Sequence, residues 1–165
     1  MILGVHHVAI TTPDIDRLCQ FYMDAFGFEE VSRGGWEAGN TTNDSVVGLK
    51  DSAAKSAFLR AGNVFIEMFQ YNAPLGQPND PNRPVNDAGY THFCLSVTDI
   101  DDEVERLEGL GMTFNAPVPR VEQMGGVWRA MYGRDLDGNV IELIEFHDTS
   151  VPAYHDVTRR APSES

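Results

Sequence analysis

Residues 6–15 read HHVAITTPDI, and residues 91–100 read THFCLSVTDI. Each stretch is rich in residues that favour β-strands and ends in an Asp-Ile pair, after which apolar residues follow at helical spacing. Aligning the two stretches places His7 on His92. The chain therefore contains one pattern twice, which predicts two similar structural modules.

The residues after each predicted strand indicate an amphipathic helix. The first helix is expected to begin at Asp14, a good N-cap residue, and to end at Gly27. The second is expected to begin near Asp99, with Gly111 as its cap. In both segments apolar residues recur every three or four positions, as in a helix that packs one face on a sheet.

The ends of the two halves also match. Residues 62–69 read GNVFIEMF and residues 138–144 read GNVIELI, and Glu67 aligns with Glu142 once one residue is skipped. Each half is then a strand, a helix and three further strands. This order predicts an α+β fold.

A chain of 165 residues is long enough for one compact domain. Within it we predict a first module at 4–71, a Pro-rich connector at 72–89, a second module at 90–147 and a polar C-terminal tail at 148–165. The Gly- and Asn-rich segment 34–54 is expected to be a long loop with one helical turn.

Composition limits the classes of partner. The chain has 12 Lys and Arg against 25 Asp and Glu, a net charge of −13, which argues against nucleic acid and against an anionic membrane surface. No apolar run approaches the roughly 18 residues of a membrane span. The first residues carry no basic n-region of a signal peptide. The two cysteines, Cys19 and Cys94, form no CxxC motif, so we expect them to pack in a protein of the reducing cytoplasm.

Four residues occupy equivalent places in the two halves: His7, Glu67, His92 and Glu142. Strand alternation places all four on the faces turned away from the helices. A carboxylate among apolar neighbours is costly unless something compensates it, and two imidazoles beside two carboxylates suit a divalent ion such as Zn, Ni, Co, Mn or Fe.

Taken singly, each of the four is better explained as a surface or hydrogen-bonded strand residue, but their equivalent positions in the repeat favour a metal site. His6 competes with His7, which is preferred because it aligns with His92. Glu145, His147 and His155 are expected at the surface or in tail contacts. The candidate pocket lining is Phe65, Phe69, Tyr71, Val140, Ile144, Phe146, Trp36, Trp128 and Met131, and the candidate anion-binding residues are Arg33, Arg60, Arg120, Arg129 and Arg134.

The segments 6–29, 91–111 and 133–146 resemble the vicinal oxygen chelate superfamily, and glyoxalase I and methylmalonyl-CoA epimerase are nearest in pattern. Leu136 stands where the family's turn has proline. The resemblance spans residues 4–147. It implies two βαβββ modules that form a curved, partly closed mixed sheet around a metal held by His7, Glu67, His92 and Glu142. It also implies a small-molecule substrate and a homodimer.

The resemblance further implies a divalent-metal-dependent isomerase or lyase that acts next to a carbonyl through an enediolate or enolate, with Glu142 or Glu67 as the base. One alternative is an Fe(II) extradiol-type dioxygenase that uses His7, His92 and Glu142, in which Glu67 would obstruct the substrate. Another is a non-catalytic, bleomycin-resistance-like binding protein, which often lacks the metal residues. A fosfomycin-type transferase is weaker, because such enzymes usually carry three metal ligands.

Overall fold

The computed structural model describes residues 1–148, so His155 and nearly all of the predicted tail lie outside the described residues. The chain divides into two compact units, Met1–Pro78 and Asn79–Ser165. No helix in the described part of the chain is both long and apolar enough to cross a membrane.

The first unit contains four strands and two helices. In chain order they are β1 (His7–Thr11), α1 (Ile15–Phe26), β2 (Glu29–Trp36), α2 (Thr41–Val47), β3 (Ala53–Ala61) and β4 (Val64–Ala73). The strands lie in the order β1-β4-β3-β2, and β1 runs parallel to β4 while the other pairs are antiparallel.

The second unit repeats this plan. Its elements are β5 (His92–Ser96), α3 (Ile100–Gly109), β6 (Thr113–Phe114), a 3₁₀ turn (Val121–Met124), β7 (Trp128–Arg134) and β8 (Val140–Phe146). The strand order is β5-β8-β7-β6, with β5 parallel to β8. The α+β class and the two βαβββ modules are confirmed. The described strands form two four-stranded mixed sheets, neither closed into a barrel.

Each sheet buries one face beneath its long helix. In the first unit, Leu18 and Tyr22 of α1 and Ile66 and Met68 of β4 are fully or almost fully buried. In the second unit the same is true of residues on α3 and on the matching strand β8, namely Ile100, Leu107, Ile141 and Leu143. Burying each such side chain contributes about 1.5–3 kcal/mol. The candidate ligands lie on the opposite face of each sheet.

The two long helices begin differently. The Asp14 side chain accepts a hydrogen bond from the Arg17 backbone N–H at 3.1 Å, and Gly27 ends α1 in the left-handed conformation, as predicted. In α3, Asp99 has φ +54° and its side chain makes no capping bond. This helix ends at Gly109 with Leu110 as its C-cap residue, and Gly111 follows at φ +104°. The backbone N–H groups of Gly111 and Met112 donate to the carbonyls of Glu108 and Leu107, so the predicted glycine does close the helix.

A side chain from the neighbouring strand completes the start of each long helix. Gln70 Oε1 accepts a hydrogen bond from the Ile15 backbone N–H at 3.0 Å. Glu145 Oε1 accepts one from the Ile100 backbone N–H at 3.3 Å. Gln70 and Glu145 are equivalent, since each lies three residues after a candidate ligand and faces the helix. Glu145 is thus buried, and the expectation that it lies at the surface is wrong.

The segment 34–54 contains more structure than the predicted loop. Strand β2 continues to Trp36, and α2 follows. The Asp44 carboxylate accepts hydrogen bonds from the Ser52 hydroxyl and from the backbone N–H groups of Asp51 and Ser52, which hold the pKa of Asp44 below its ordinary value. The Trp36 indole N–H donates to the Ser52 hydroxyl at 2.9 Å. This network ties the segment back to β3.

Candidate metal centre

Strand register places the candidate ligands of each unit side by side on the face opposite the helix. In the first unit Ala9 lies opposite Glu67, so His7 and Glu67 share a face of neighbouring parallel strands. In the second unit Cys94 lies opposite Glu142 in the same way, two residues after His92. The geometry of the repeat is therefore the same in both halves.

Each unit brings one histidine and one glutamate together. The distance between His7 Nε2 and Glu67 Oε2 is 3.2 Å, and that between His92 Nε2 and Glu142 Oε2 is 3.0 Å. We call these the first and the second pair. The glutamate side chains are 15% and 16% exposed, and within residues 1–148 the ion-pair partner of each is its histidine. Among those residues, no group of three or more His, Cys, Asp or Glu has the arrangement of a metal site.

The residue before each histidine engages the other ring nitrogen. His6 Nδ1 lies 2.9 Å from His7 Nδ1, and Thr91 Oγ1 lies 2.9 Å from His92 Nδ1. Such a contact fixes the ring orientation and leaves Nε2 for a metal, as is common for ligand histidines. The His6 ring itself stacks on Phe65 at 5.2 Å between centroids. His7, and not His6, is the histidine paired with Glu67.

Aromatic rings surround the first pair. Phe58 lies directly across from Glu67 on β3, and its ring is 5.6 Å from the His7 ring. Further along β4, the rings of Phe69 and Tyr71 contact Trp36 at 6.0 and 5.9 Å. Burial raises the pKa of Tyr71, and the nearby Glu67 charge adds to the rise. This face therefore offers an apolar, aromatic wall beside the first pair.

Protic side chains surround the second pair. Tyr132 lies directly across from Glu142 on β7, with its ring 4.7 Å from the His92 ring. Burial raises the pKa of Tyr132, and Glu142 and Cys94 raise it further. Burial and Glu142 also raise the pKa of Cys94 to about 12. Cys94 lies across from Glu142 on the ligand face, where the residue keeps contact with solvent although its sulfur is partly desolvated. It is not part of a packed core, so the expectation that it serves packing is wrong.

Cys19 does pack as predicted, because it is fully buried with its sulfur 3.4 Å from that of Met68. Met131 is also buried, on the helix side of β7, and so does not line an opening. Trp36 does lie on the ligand face, as its ring contacts show. Trp128 lies across from Phe146 at the end of the second sheet.

The candidate anion-binding arginines differ in the partners that they already have. Arg33 binds Asp16 and Glu30, and Arg129 binds Asp101 and Glu145, so both are already paired with acids. Arg134 donates to the backbone carbonyls of Gly138 and Arg83. Arg120 precedes the 3₁₀ turn.

Arg60 differs from these arginines. Its guanidinium lies 5.4 Å from the Phe65 ring centroid, and its ion-pair partner among residues 1–148 is Glu29, at 3.4 Å in an exposed contact. Arg60 lies across from Phe65, which in turn lies across from His7. It is therefore the candidate that reaches the ligand face with the weakest competing contact.

Sequence reasoning did not identify Tyr132 as a neighbour of Glu142. Residues at alternate positions of β7 share the ligand face, so the alternation of Ala130, Tyr132 and Arg134 carried the signal. What it lacked was the pairing of β7 with β8, and the register that sets Tyr132 opposite Glu142.

Comparison with known proteins places the chain among relatives that carry this fold. Residues 4–143 match the family described as Glyoxalase/Bleomycin resistance protein/Dioxygenase superfamily. A glyoxalase family protein from Bacillus cereus has a similar structure, with a TM-score of 0.78 and 25% identity over 88% of this chain and 95% of that one.

Two curated relatives have named activities. The chain is 31% identical over 112 residues to a 2-epi-5-epi-valiolone epimerase from Actinomyces sp. The matched segment covers 64% of this chain and 57% of the epimerase. It thus spans little more than half of that relative's length. It is 23% identical over 145 residues to the fosfomycin resistance protein FosX from Listeria monocytogenes, covering 87% of this chain and 90% of FosX.

A structure of a FosX mutant from Listeria monocytogenes also matches in fold. It contains Mn(II) and 1S,2S-dihydroxypropylphosphonic acid. Its TM-score is 0.58 at 20% identity, over 88% of this chain and 94% of that chain.

Proposed function

The chain belongs to the Glyoxalase/Bleomycin resistance protein/Dioxygenase superfamily, and from that premise we propose that it is a divalent-metal-dependent isomerase or lyase. The reaction takes place next to a carbonyl and passes through an enediolate or enolate. One observation carries the proposal: two His/Glu pairs of matching geometry, at equivalent positions of a repeat, on the sheet faces opposite the long helices.

The donor set fits a divalent ion. Two imidazole nitrogens and two carboxylate oxygens suit Zn, Ni, Co, Mn or Fe, and the ion's charge would offset both carboxylates. Each glutamate is mostly buried and has only a histidine as its ion-pair partner within residues 1–148. We propose that His7, Glu67, His92 and Glu142 serve one ion, in a protein that works as a homodimer.

The chemistry divides between the ion and the side chains. A bound divalent cation would supply stabilisation of the negative charge that develops on the carbonyl oxygen. Glu142 or Glu67 removes the proton from the neighbouring carbon and returns it to the product. The aromatic wall of Phe58, Phe69 and Trp36 packs against the apolar part of the substrate and excludes water from the reacting atoms.

Metal content and metal affinity test the site directly. We expect elemental analysis of protein purified without chelator to find about one divalent ion per chain. His7→Ala and His92→Ala should each abolish Mn(II) binding in titration calorimetry, because both pairs serve one ion. Glu105→Gln, which changes an exposed carboxylate of α3, should bind as the unchanged protein does. Two independent ions per chain, or none, would overturn the four-residue site.

Proton exchange tests the reaction. An enzyme that works through an enediolate exchanges the hydrogen next to the carbonyl with solvent, so NMR in D₂O should detect deuterium in the substrate. The substrates to compare are 2-epi-5-epi-valiolone, methylmalonyl-CoA and the hemithioacetal of methylglyoxal and glutathione. Glu67→Gln should impair exchange, since it weakens a ligand or the base. Metal-loaded protein that exchanges none of them would count against this reaction class.

A second candidate is modification of fosfomycin, which the match to FosX over 87% of the chain favours. Arg60 adds to it, because a guanidinium on the ligand face suits an anionic group. The test is loss of fosfomycin in the presence of Mn(II), followed by ³¹P NMR. Consumption that depends on Arg60 would favour this candidate over the epimerase-type reaction.

The identity of the metal also distinguishes the proposed reaction from that of an extradiol-type dioxygenase. About one iron per chain, with Glu67→Gln leaving iron affinity unchanged, would favour a dioxygenase that uses His7, His92 and Glu142.

A further inference from the structure

A chain of hydrogen bonds connects helix α2 to an aromatic ring on the ligand face of the first unit. The Asp44 carboxylate accepts a hydrogen bond from the Ser52 hydroxyl, and the Ser52 oxygen accepts one from the Trp36 indole N–H at 2.9 Å. Ser52 is fully buried. A hydroxyl has one hydrogen to donate, so its bond to Asp44 leaves the lone pairs of the oxygen to face Trp36.

The Asp44 carboxylate is itself held by backbone groups. Its Oδ2 accepts a hydrogen bond from the Asp51 backbone N–H at 2.9 Å, and its Oδ1 accepts one from the Ser52 backbone N–H at 2.8 Å. Hydrogen bonds to an ionised acceptor are shorter and stronger than those between neutral groups. The positions of Asp44 and Ser52 are therefore fixed, and the edge of the Trp36 ring is fixed with them.

The βαβββ plan does not require this network. The second unit has the same strand order, and a 3₁₀ turn (Val121–Met124) lies between β6 and β7 where the first unit has α2. Helix α2 contains no buried residue, so it contributes little to the core. What α2 supplies is the Asp44 carboxylate and, through Ser52, the placement of Trp36.

Trp36 forms the end of the aromatic wall that lies beyond Glu67. Its ring is 6.0 Å from that of Phe69, at an interplanar angle of 71°, and 5.9 Å from that of Tyr71, at 82°. Phe69 and Tyr71 follow Glu67 at alternate positions of β4, so all three share a face. Phe69 is thus about 7 Å from Glu67 along the strand. A flat group that extends from the candidate ligands along β4 meets the indole ring.

We propose that Asp44 and Ser52 are positioning residues, which hold Trp36 so that the aromatic wall receives a flat apolar part of the substrate. The inference rests on the proposed function, because it requires a substrate that is bound through its oxygens at the metal. Aromatic rings pack on one another in offset or edge-to-face arrangements, so a ring that has turned or become mobile binds a flat group less well. Selectivity is thereby set in part by a residue of α2 that does not touch the substrate.

Two hydroxamates that differ only in their apolar part measure this contact on the Mn(II)-loaded protein. Acetohydroxamate carries a methyl group, and 2-naphthohydroxamate carries a flat ring system on the same pair of chelating oxygens. The ratio of their affinities, compared between variants, separates the aromatic contribution from metal chelation.

Two variants interrupt the network at different points. Ser52→Ala removes the acceptor of the indole N–H, and Asp44→Asn removes the charge while keeping the side-chain volume. Ser45→Ala is the matched control, because it removes a hydroxyl of α2 that donates to the Thr41 carbonyl. If Ser52→Ala does not fold, Asp44→Asn decides by itself.

We expect the unchanged protein to prefer 2-naphthohydroxamate. Ser52→Ala and Asp44→Asn should lower the affinity ratio about two- to tenfold, the range expected for one aromatic contact. Their affinities for Mn(II) and acetohydroxamate should equal those of the unchanged protein, and Ser45→Ala should match the unchanged protein in every titration.

The fluorescence of Trp36 provides a readout that a purely structural role of the network would not link to binding. In a Trp128→Phe background Trp36 is the remaining tryptophan. Time-resolved anisotropy should then show faster ring motion in Ser52→Ala and Asp44→Asn than in Ser45→Ala.

Three results would overturn the inference alone: no preference for 2-naphthohydroxamate in the unchanged protein, an unchanged affinity ratio in the variants, or a lower ratio without faster ring motion. An unchanged protein that binds no Mn(II), or no hydroxamate once loaded, would overturn the proposed function together with the inference.

Discussion

The Glu145 carboxylate joins three parts of the second unit, and its removal should destabilise the protein measurably. It accepts hydrogen bonds from the Ile100 backbone N–H at 3.3 Å and from Arg129 Nε and Nη2 at 3.0 and 2.7 Å. His147 Nε2 lies 2.6 Å away. The Glu145 side chain is 11% exposed and that of Arg129 is 15% exposed, so water replaces these contacts poorly.

The size of the effect follows from these contacts. Hydrogen bonds between charged groups contribute about 1.5–3 kcal/mol, and the longer bond to Ile100 contributes about 1 kcal/mol or less. Glu145→Ala should therefore lower the free energy of unfolding by about 3 kcal/mol, or Tm by about 6–12 °C. Glu145→Gln should cost only about 1–2 kcal/mol, because an amide can still accept from Ile100, as Gln70 does from Ile15.

The effect should also depend on pH. Burial by itself would raise the pKa of Glu145, but hydrogen bonds from Arg129, Ile100 and His147 outweigh it and lower the pKa. A carboxyl whose pKa is lower in the folded state stabilises the protein above its unfolded pKa, and this stability is lost as the pH falls through the folded value. The difference in the free energy of unfolding between the unchanged protein and Glu145→Gln should therefore shrink as the pH falls below about 4.5.

Urea unfolding followed by circular dichroism at neutral and acidic pH measures these differences. Glu105→Gln, which alters an exposed acid of α3, controls for the change in net charge. If Glu145→Ala and Glu145→Gln cost the same, the capping role is refuted. If the gap stays constant with pH, the ionised carboxylate is not the stabilising form.

Two further pairs of variants compare the units or the two faces of a sheet. Gly62→Ala should lower the free energy of unfolding by about 1–2 kcal/mol, since the φ of +68° is strained for alanine but the surroundings are open. Gly138→Ala should lower it by about 1–3 kcal/mol more, because the new Cβ would lie 2.6 Å from the Cα of Pro81. Equal losses in thermal unfolding would contradict this. Leu143→Ala, on the buried face of β8, should cost about 2–5 kcal/mol, and Ile144→Ala on the half-exposed ligand face should cost clearly less.

Features set by short stretches of sequence could be predicted from the sequence. The repeat, the two βαβββ modules and the start and end of α1 depend on residues a few positions apart. The same is true of the face on which His7 and Glu67 lie, because alternation along a strand fixes it. The joint use of both pairs by one ion remains a prediction.

Features set by pairing between distant segments could not be predicted. The sequence predicts the start of α3 near Asp99, but the backbone there takes φ +54° and the Asp99 side chain makes no capping bond. The Ile100 N–H donates instead to Glu145, 45 residues away. Cys94 and Tyr132 lie beside Glu142 only because of the register of β8 with its neighbours β5 and β7. Local composition holds no information on that register.

The caps of α1 and α3 have a consequence for how sequences of this kind can vary. An amide at the position of Gln70 is neutral and needs no ionic neighbour, whereas a carboxylate at the position of Glu145 is buried and requires a cation such as Arg129. Across related proteins, an acidic residue at position 145 should therefore covary with a basic residue at position 129. Glutamine at position 145 should occur both with and without a basic residue at position 129. A sequence with the amide can therefore replace Arg129 without leaving a buried carboxylate unpaired.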